Sequence, residues 1–344
     1  MGIGELAAGP LLKLLGTDPD IMADSLAYLR IYFGGAIFLF LYNSLNGIYN
    51  ALGDSQTPLK FLMVSALTNI VLDLLFVIKF NMGVAGVAWA TLIAQGLCAC
   101  ISFFVLIGRL RKMENEPSAR GAAFAYFDMD AARRIAKVGV PSMLQQSIVS
   151  VSMMMMQGLV NSYGKVFVAG YTAATKIDTL AMLPNMNFSN AISSYTAQNI
   201  GAGQDDRAKQ TLRWGIAFSL VFGAVMFTLI QLFPREAIGI IRQDSAVMEA
   251  GALYLRAFSF DVILVCFVFC LNGFFGGCGR TGFTMVNSLV STFAVRVPVT
   301  LFVSSLPGAT LFHIGLAAPL ASALQIVIQL VYLKLGRWEG GSVV

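Results

Sequence analysis

Nine apolar runs follow one another along the chain, and each is long enough to cross a lipid bilayer as a helix. The hydrocarbon core of a bilayer is about 30 Å thick, so one helical crossing needs about 20 apolar residues. Strands of a membrane barrel would instead alternate apolar and polar residues over about 10 positions. The pattern therefore predicts an all-α integral membrane protein with nine transmembrane helices. The runs lie at residues 26–50, 59–80, 84–108, 136–161, 167–190, 211–233, 250–276, 284–305 and 312–335.

The composition and the distribution of charge favour the same class of protein. Hydrophobic residues make up 57% of the chain, charged residues only 12%, and the mean hydropathy is +0.74, whereas a soluble domain is about 25% charged. Seven of the 23 Lys and Arg residues lie between residues 109 and 137. By the positive-inside rule that loop is cytoplasmic, and the C-terminus then lies inside as well. We therefore expect a multi-pass protein of the inner (plasma) membrane, surrounded by the lipid bilayer and without a nucleic-acid partner.

An internal repeat divides the chain. Residues 26–53 align without a gap to residues 252–279, with Tyr-Leu-Arg near the start and Leu-Asn-Gly near the end of both copies. Repeats of this length are typical of transporters that consist of two related bundles. We expect an incomplete N-terminal bundle at 1–112, made of a stub and three helices, then a cytoplasmic linker at 113–135 and a complete six-helix bundle at 136–344. The N-terminal bundle would lack about the first three transmembrane helices.

Three polar residues in the second and third runs form the strongest candidate site. Asn69 and Asp73 lie one helical turn apart and share a face, and Thr91 lies about as far from the turn at 81–83 as Asp73 does. An ionised carboxylate in a bilayer is costly unless it is paired or hydrated, so we expect these residues to bind a proton or Na⁺. A structural, hydrogen-bonded Asp73 is the alternative. The repeat provides an internal control, because the aligned residues of the second half are Val295, Val299 and Leu320.

Other charges lie inside the apolar runs of the second half. Asp261 and Arg296 align with uncharged residues of the first half, and they form either a structural or gating pair or part of a substrate site. Lys176 and Asp178 form a second potential pair. Lys176 either enters a cavity or pairs locally and extends its amine toward the membrane surface.

Two neighbouring glutamines, Gln145 and Gln146, follow Pro141 in the fourth run. An amide that faces lipid would lack hydrogen-bond partners, so these side chains either line a cavity or bond to another helix. The candidates for a substrate cavity are therefore Gln145, Gln146, Lys176, Asp261 and Arg296.

Several short motifs resemble those of one transporter family. The first repeat has Tyr-Leu-Arg at 28–30, Asn-Gly at 46–47 and Ala-Leu-Gly-Asp-Ser at 51–55. The second half has VGVPSML at 138–144 and AQNIGAGQ at 197–204. With these motifs the whole chain resembles the multidrug and toxic compound extrusion (MATE) transporters, and within them the DinF-like prokaryotic branch.

The resemblance implies two six-helix bundles around a central cavity, with cation influx driving drug export. In the DinF-like branch the cation is bound by an Asp on the first helix, an Asn and an Asp four residues apart on the fifth, and a Thr on the sixth. Asn69, Asp73 and Thr91 match the last three of these, and the first-helix Asp would lie in the missing region. Another branch has a Glu on the seventh helix, at the position of Val149 here. The valine argues against a sodium site of that branch's type in the C-terminal bundle.

The expected function is an H⁺-coupled or Na⁺-coupled antiporter that exports amphipathic, cationic drugs or toxic metabolites by alternating access. We expect a monomer that acts on small-molecule substrates and needs no cofactor besides the coupling ion. An enzyme is not expected, since no catalytic constellation is evident. Two alternatives remain open. One is a flippase for lipid-linked oligosaccharides or other lipids from the same superfamily, and the other is a truncated, non-transporting membrane fragment.

Overall fold

The computed structural model of the chain is helical throughout the part that it describes. The chain forms two compact units, unit 1 (residues 1–125) and unit 2 (residues 126–344). Most of the predicted linker, residues 115–127, lies outside the described residues. The structure describes residues 8–10, 12, 19–114, 128–161, 163–306 and 310–336.

Unit 1 contains three long helices in its described residues. Helix α1 spans Pro19–Ala51, α2 spans Gln56–Leu74, and α3 spans Gly83–Glu114. A π-helical turn, Leu75–Lys79, extends α2. Helix α3 packs against both α1 and α2, which have few contacts with each other.

The turn between α2 and α3 lies where the sequence predicts it. Asn81 and Gly83 adopt positive φ angles of 52° and 56°, in the left-handed region that Gly and Asn enter more easily than other residues. Met82 closes the turn by donating its backbone N–H to the carbonyl of Phe76 at 3.0 Å. This reversal makes α2 and α3 antiparallel neighbours.

The turn between α1 and α2 is organised by one carboxylate, Asp54. It accepts hydrogen bonds from the backbone N–H of Gln56 (3.2 Å) and of Thr57 (3.0 Å), and from the Thr57 hydroxyl (2.6 Å). It also forms an ion pair with Arg109 of α3. These partners, led by the Thr57 hydroxyl, lower the pKa of Asp54 to about 2.

The sequence repeat is also a repeat of backbone structure. Gly53, after α1, has φ of 78°, and its counterpart Gly279 has φ of 71°. The Gly53 N–H donates to the carbonyl of Asn50 at 3.1 Å, and the Gly279 N–H donates to that of Gly276 at 3.0 Å. The two units therefore end equivalent helices in the same way.

Unit 2 is arranged around one helix, α8 (Ser245–Gly277), which contacts most of the other helices of the unit. Most of the side chains of α8 are buried. The elements of unit 2 are α4 (Met129–Asn161), α5 (Lys165–Gly201), α6 (Asp205–Leu232), α7 (Pro234–Gly239), α8 (Ser245–Gly277), α9 (Thr281–Val290), a π-helical segment (Ser291–Arg296), α10 (Val297–Ser304), α11 (Leu311–Gly315) and α12 (Ala317–Lys334).

Small residues allow α5 and α8 to approach closely. A Cβ atom on Gly273 of α8 would overlap the backbone carbonyl oxygen of Ser189 in α5 and lie 3.0 Å from its carbonyl carbon. Nearer the other end, a Cβ on Gly170 would lie 2.8 Å from the backbone nitrogen of Gly251. Only glycine fits at these crossings, as is common where membrane helices pack tightly.

Seven helices in the described part of the chain are long and apolar enough to cross a membrane. The sequence predicted nine transmembrane helices, and the two that are not among these seven are the runs 136–161 and 167–190. These segments form α4 and α5, which are long but too polar to meet the same criterion, since they contain glutamines, asparagines, serines and charged residues. Helix α4 also includes the last residues of the predicted linker, from 129 onward, and continues through Pro141.

Candidate functional site

The structure brings Asn69 and Thr91 of unit 1 together. The Asn69 side-chain amide lies 3.4 Å from the Thr91 hydroxyl as a hydrogen-bond donor. The Thr91 hydroxyl in turn donates to the carbonyl of Val87 at 3.0 Å. Both residues are half-buried on the faces where α2 and α3 meet. The residue that meets Thr91 is thus Asn69, whereas equal distance from the shared turn had matched Thr91 with Asp73.

Asp73 lies one helical turn beyond Asn69 on the same face of α2. Its side chain is half-buried, and its Oδ1 atom is buried without a hydrogen-bond partner among the described residues. A buried carboxylate oxygen without a partner is costly in an apolar layer. The π-helical turn Leu75–Lys79 begins two residues later, and such turns often occur at functional sites. The carboxylate can satisfy its free oxygen by binding a proton or a cation.

A narrow groove between α1 and α3 reaches Thr91. It is lined by Tyr32, Gly35, Thr91 and Gln95, among others. A Cβ on Gly35 would lie 2.6 Å from a methyl group of Leu92, so α1 and α3 are close together here. The Asn69–Thr91 pair thus adjoins all three helices of unit 1.

Unit 2 contains a buried charge cluster that the sequence only partly revealed. Asp261 of α8 is 4% exposed and Asp178 of α5 is 7% exposed. Their charges interact with each other and with that of Arg296 in the π-helical segment. One oxygen of each carboxylate and the Arg296 Nε are buried and lack a hydrogen-bond partner among the described residues. The predicted association of Asp261 with Arg296 therefore involves a third charged residue, Asp178.

Two tyrosines complete this charge cluster. Tyr171 and Tyr254 are 4% and 2% exposed, and their rings pack edge to face with centroids 5.0 Å apart. Tyr171 is seven residues before Asp178, a spacing that places both on one face of α5. That spacing is the sequence signal by which Tyr171 could have been found.

The structure separates Lys176 from Asp178. Residues two positions apart on a helix do not face each other, and here Lys176 is exposed whereas Asp178 is buried. Lys176 instead lines a groove with Lys165 and Arg242. Lys165 and Lys176 are eleven residues apart, which is three helical turns, and that spacing is the sequence signal by which Lys165 could have been found.

The two glutamines of α4 have different environments. The Gln145 amide donates to the hydroxyl of Ser288 at 2.9 Å and accepts from that of Thr284 at 3.0 Å, both on α9. Ser288 also accepts from Gln325 of α12 at 3.2 Å. Gln145 therefore forms the interhelical bonds that were one of the two alternatives, and Gln146 is exposed.

Long apolar helices, an internal repeat and polar groups buried at membrane depth define this chain as a multi-pass membrane protein of the transporter class. The model of the MatE family matches residues 1–75 and 141–302. The chain therefore belongs to the MatE family, whose members are transporters rather than enzymes.

Similar proteins include curated relatives and solved structures. The probable multidrug resistance protein YpnP of Bacillus subtilis (strain 168) is 30% identical over 329 residues, which are 96% of this chain and 72% of that relative. The FAD transporter of Shewanella oneidensis (strain MR-1) is 26% identical over 74% of this chain and 56% of its own length. A solved structure of a multidrug resistance MATE family transporter in an outward-facing conformation superposes with a TM-score of 0.87, at 19% identity, over 98% of this chain and 76% of that one.

Proposed function

We propose that this protein exports drugs or toxic metabolites and is driven by the influx of H⁺ or Na⁺. The observation that carries the proposal is the Asp73 carboxylate, which lies one turn from the Asn69–Thr91 pair and has a buried oxygen without a hydrogen-bond partner among the described residues. The relative named a multidrug resistance protein supports drug export. We propose amphipathic, cationic compounds as substrates, transported by alternating access.

In this proposal Asn69, Asp73 and Thr91 bind the coupling cation. Na⁺ prefers oxygen ligands, and the amide, carboxylate and hydroxyl of these side chains supply them. A proton needs only the Asp73 carboxylate, and the Asn69–Thr91 hydrogen bond then holds the neighbouring helices in place. The assignment follows the DinF-like branch, in which an Asp on another helix is a fourth partner.

We also propose that α4 and α5 cross the membrane. Nine crossings would then be present, three in unit 1 and six in unit 2, with the C-terminus in the cytoplasm and the protein acting as a monomer in the inner membrane. The polar side chains of α4 and α5 can be accommodated because several bond within unit 2, as Gln145 does, or are buried there, as Asp178 is.

The test is Asp73→Asn, which keeps the size of the side chain and removes its charge. Ethidium efflux would be measured in a host that lacks other exporters, with pH and Na⁺ gradients imposed separately. We expect Asp73→Asn to reduce efflux to the level of cells without the protein. Asp24→Asn is the matched control, since Asp24 is an exposed carboxylate near the start of α1, and it should leave efflux unchanged. Unaltered efflux and unaltered gradient dependence in Asp73→Asn would rule the assignment out.

A further inference from the structure

The groove beside Lys176 lies within unit 2 and has a volume of about 670 Å³. Among the described residues, its lining includes three cations, Lys165, Lys176 and Arg242, and no acidic residue. A volume of this size is within the range of about 300–1,000 Å³ that is common for sites of small ligands. The groove is therefore large enough for a molecule and not only for an ion.

The groove runs along one face of α5. Lys165, Val168, Thr172 and Lys176 recur at spacings of three or four residues, which places them on one stripe of the helix. Lys165 and Lys176 are eleven residues apart, so their backbone positions are about 16 Å apart along the axis. The positive charge extends from the end of the helix to roughly half the thickness of a bilayer core.

The three cations of the groove have no competing partners in the described part of the chain. All three side chains are exposed, and none forms an ion pair with a described carboxylate. The nearest acid in sequence to Arg242 is Asp244, which accepts hydrogen bonds from the N–H groups of Ala246 and Val247 at the start of α8. A lysine that remains unpaired at the depth of Lys176 is costly unless water or an anion reaches it.

The rest of the lining fits a ligand with both polar and apolar parts. Val168, Ala169 and Ile241 provide apolar surface, and Asn161 and Thr172 provide hydrogen-bonding groups. The first N–H groups of α5 also lie at this end of the groove, because Gly164 precedes the helix there without a side-chain cap. Unpaired N–H groups at the start of a helix favour an anion.

We propose that this groove binds an anionic group carried on an apolar body, with Lys165 and Arg242 at the mouth and Lys176 at the deep end. Two sources share that chemistry: the phosphate of a membrane lipid and a soluble phosphate-bearing molecule. The two sources differ in how deep in the membrane the phosphate would lie. The phosphate of a lipid stays at the membrane surface, near Lys165 and Arg242, whereas a soluble anion that enters the groove reaches Lys176.

The experiment uses two fluorescent probes that differ by one phosphate, flavin mononucleotide and riboflavin. Binding would be titrated with the purified full chain in phosphatidylcholine nanodiscs. We expect flavin mononucleotide to bind at least about tenfold more tightly than riboflavin, since its phosphate can accept charge-assisted hydrogen bonds from the cations of the groove. The difference should shrink as the salt concentration rises.

Single variants distinguish the two sources. If a soluble anion is the natural ligand, Lys176→Gln weakens the binding of flavin mononucleotide about tenfold, and mixing phosphatidylglycerol into the nanodiscs in equal part does not compete. If a lipid is the natural ligand, phosphatidylglycerol displaces the probe. Native mass spectrometry then shows phosphatidylglycerol retained by the wild type and lost in Arg242→Gln. Either pattern supports the proposal.

Arg235→Gln is the matched control, because Arg235 is an exposed cation on the nearby helix α7 and does not line the groove. Arg235→Gln should change neither the affinity for flavin mononucleotide nor the retention of phosphatidylglycerol. Each variant is first checked for a single elution peak and an unchanged Tm, so that loss of binding is not loss of folding. Equal affinity for both flavins, together with equal retention of phosphatidylglycerol by the wild type and the Lys165→Gln, Lys176→Gln, Arg242→Gln triple variant, would overturn the proposal.

Discussion

The repeat offers a matched pair of glycine substitutions, of which only one should lower the stability of the protein. Gly273 and Gly47 occupy equivalent positions in the two copies. A Cβ on Gly273 would overlap the Ser189 carbonyl of α5, whereas a Cβ on Gly47 meets nothing within 4 Å among the described residues. Gly273→Ala must therefore push α5 and α8 apart, and Gly47→Ala need not move anything.

The magnitudes follow from two opposing terms. Replacing glycine by alanine within a helix gains up to about 1 kcal/mol. Overpacking a tight contact costs about 1–3 kcal/mol, and at Gly273 the obstacle is backbone and cannot rotate away. We therefore expect Gly273→Ala to lower the stability by about 1–2 kcal/mol, and Gly47→Ala to leave it unchanged or raise it by up to about 1 kcal/mol.

The assay is the apparent Tm of the detergent-solubilised protein at a fixed heating rate, since large membrane proteins often unfold irreversibly. A loss of 1–2 kcal/mol corresponds to a decrease of roughly 2–8 °C. A Gly273→Ala protein as stable as the wild type would refute the close packing of α5 on α8. An equal decrease in Gly47→Ala would show that the α1 face around Gly47 is covered as tightly as that of α8.

Two further predictions concern single polar groups. Gln145→Leu removes two interhelical hydrogen bonds, each worth about 0.5–1.5 kcal/mol, and should lower the apparent stability by about 1–3 kcal/mol, whereas Gln146→Leu, at an exposed position, should have little effect. A similar loss in both variants would contradict the different environments of the two glutamines. Because the pKa of folded Asp54 is lowered to about 2, its contribution to stability is complete above the unfolded value near 3.9 and disappears as the pH falls through 2. Asp54→Asn or Thr57→Ala should therefore reduce the dependence of Tm on pH between about 4 and 2, and an unaltered slope in both would argue against the capping role.

Features that depend on local patterns could be predicted from the sequence. The turn at Asn81–Gly83 follows from residues that tolerate a left-handed backbone, and it makes α2 and α3 antiparallel, so the polar residues of α2 were expected to face Thr91. Equal distances to the turn would match Thr91 with Asp73, whereas the hydrogen bond is made by Asn69, one helical turn away. The apolar runs likewise predicted the helical class. In each case the relevant spacing lies within one helix or one hairpin, where helical geometry alone decides which residues meet.

Features that depend on the orientation of a helix could not be predicted in this way. Lys176 and Asp178 are neighbours in sequence but point in different directions, and only the position of α8 decides which of them is buried. Arg296 lies in a π-helical segment, where an extra residue per turn shifts the faces of the helix relative to a regular α-helix. Its position beside Asp178 therefore depends on a backbone irregularity that hydrophobic periodicity does not reveal.

The two copies of the repeat do not share the carboxylates Asp73 and Asp261. In unit 1 the carboxylate is Asp73 on α2, and the residue of α1 that matches Asp261 is Gly35. In unit 2 the carboxylates are on α5 and α8, and Val299 takes the place of Asp73. A Cβ at Gly35 would lie 2.6 Å from a methyl group of Leu92, so a carboxylate there would require the Leu92 side chain to move. The site of one unit therefore cannot be inferred from the symmetry of the repeat, and each carboxylate must be tested by its own substitution.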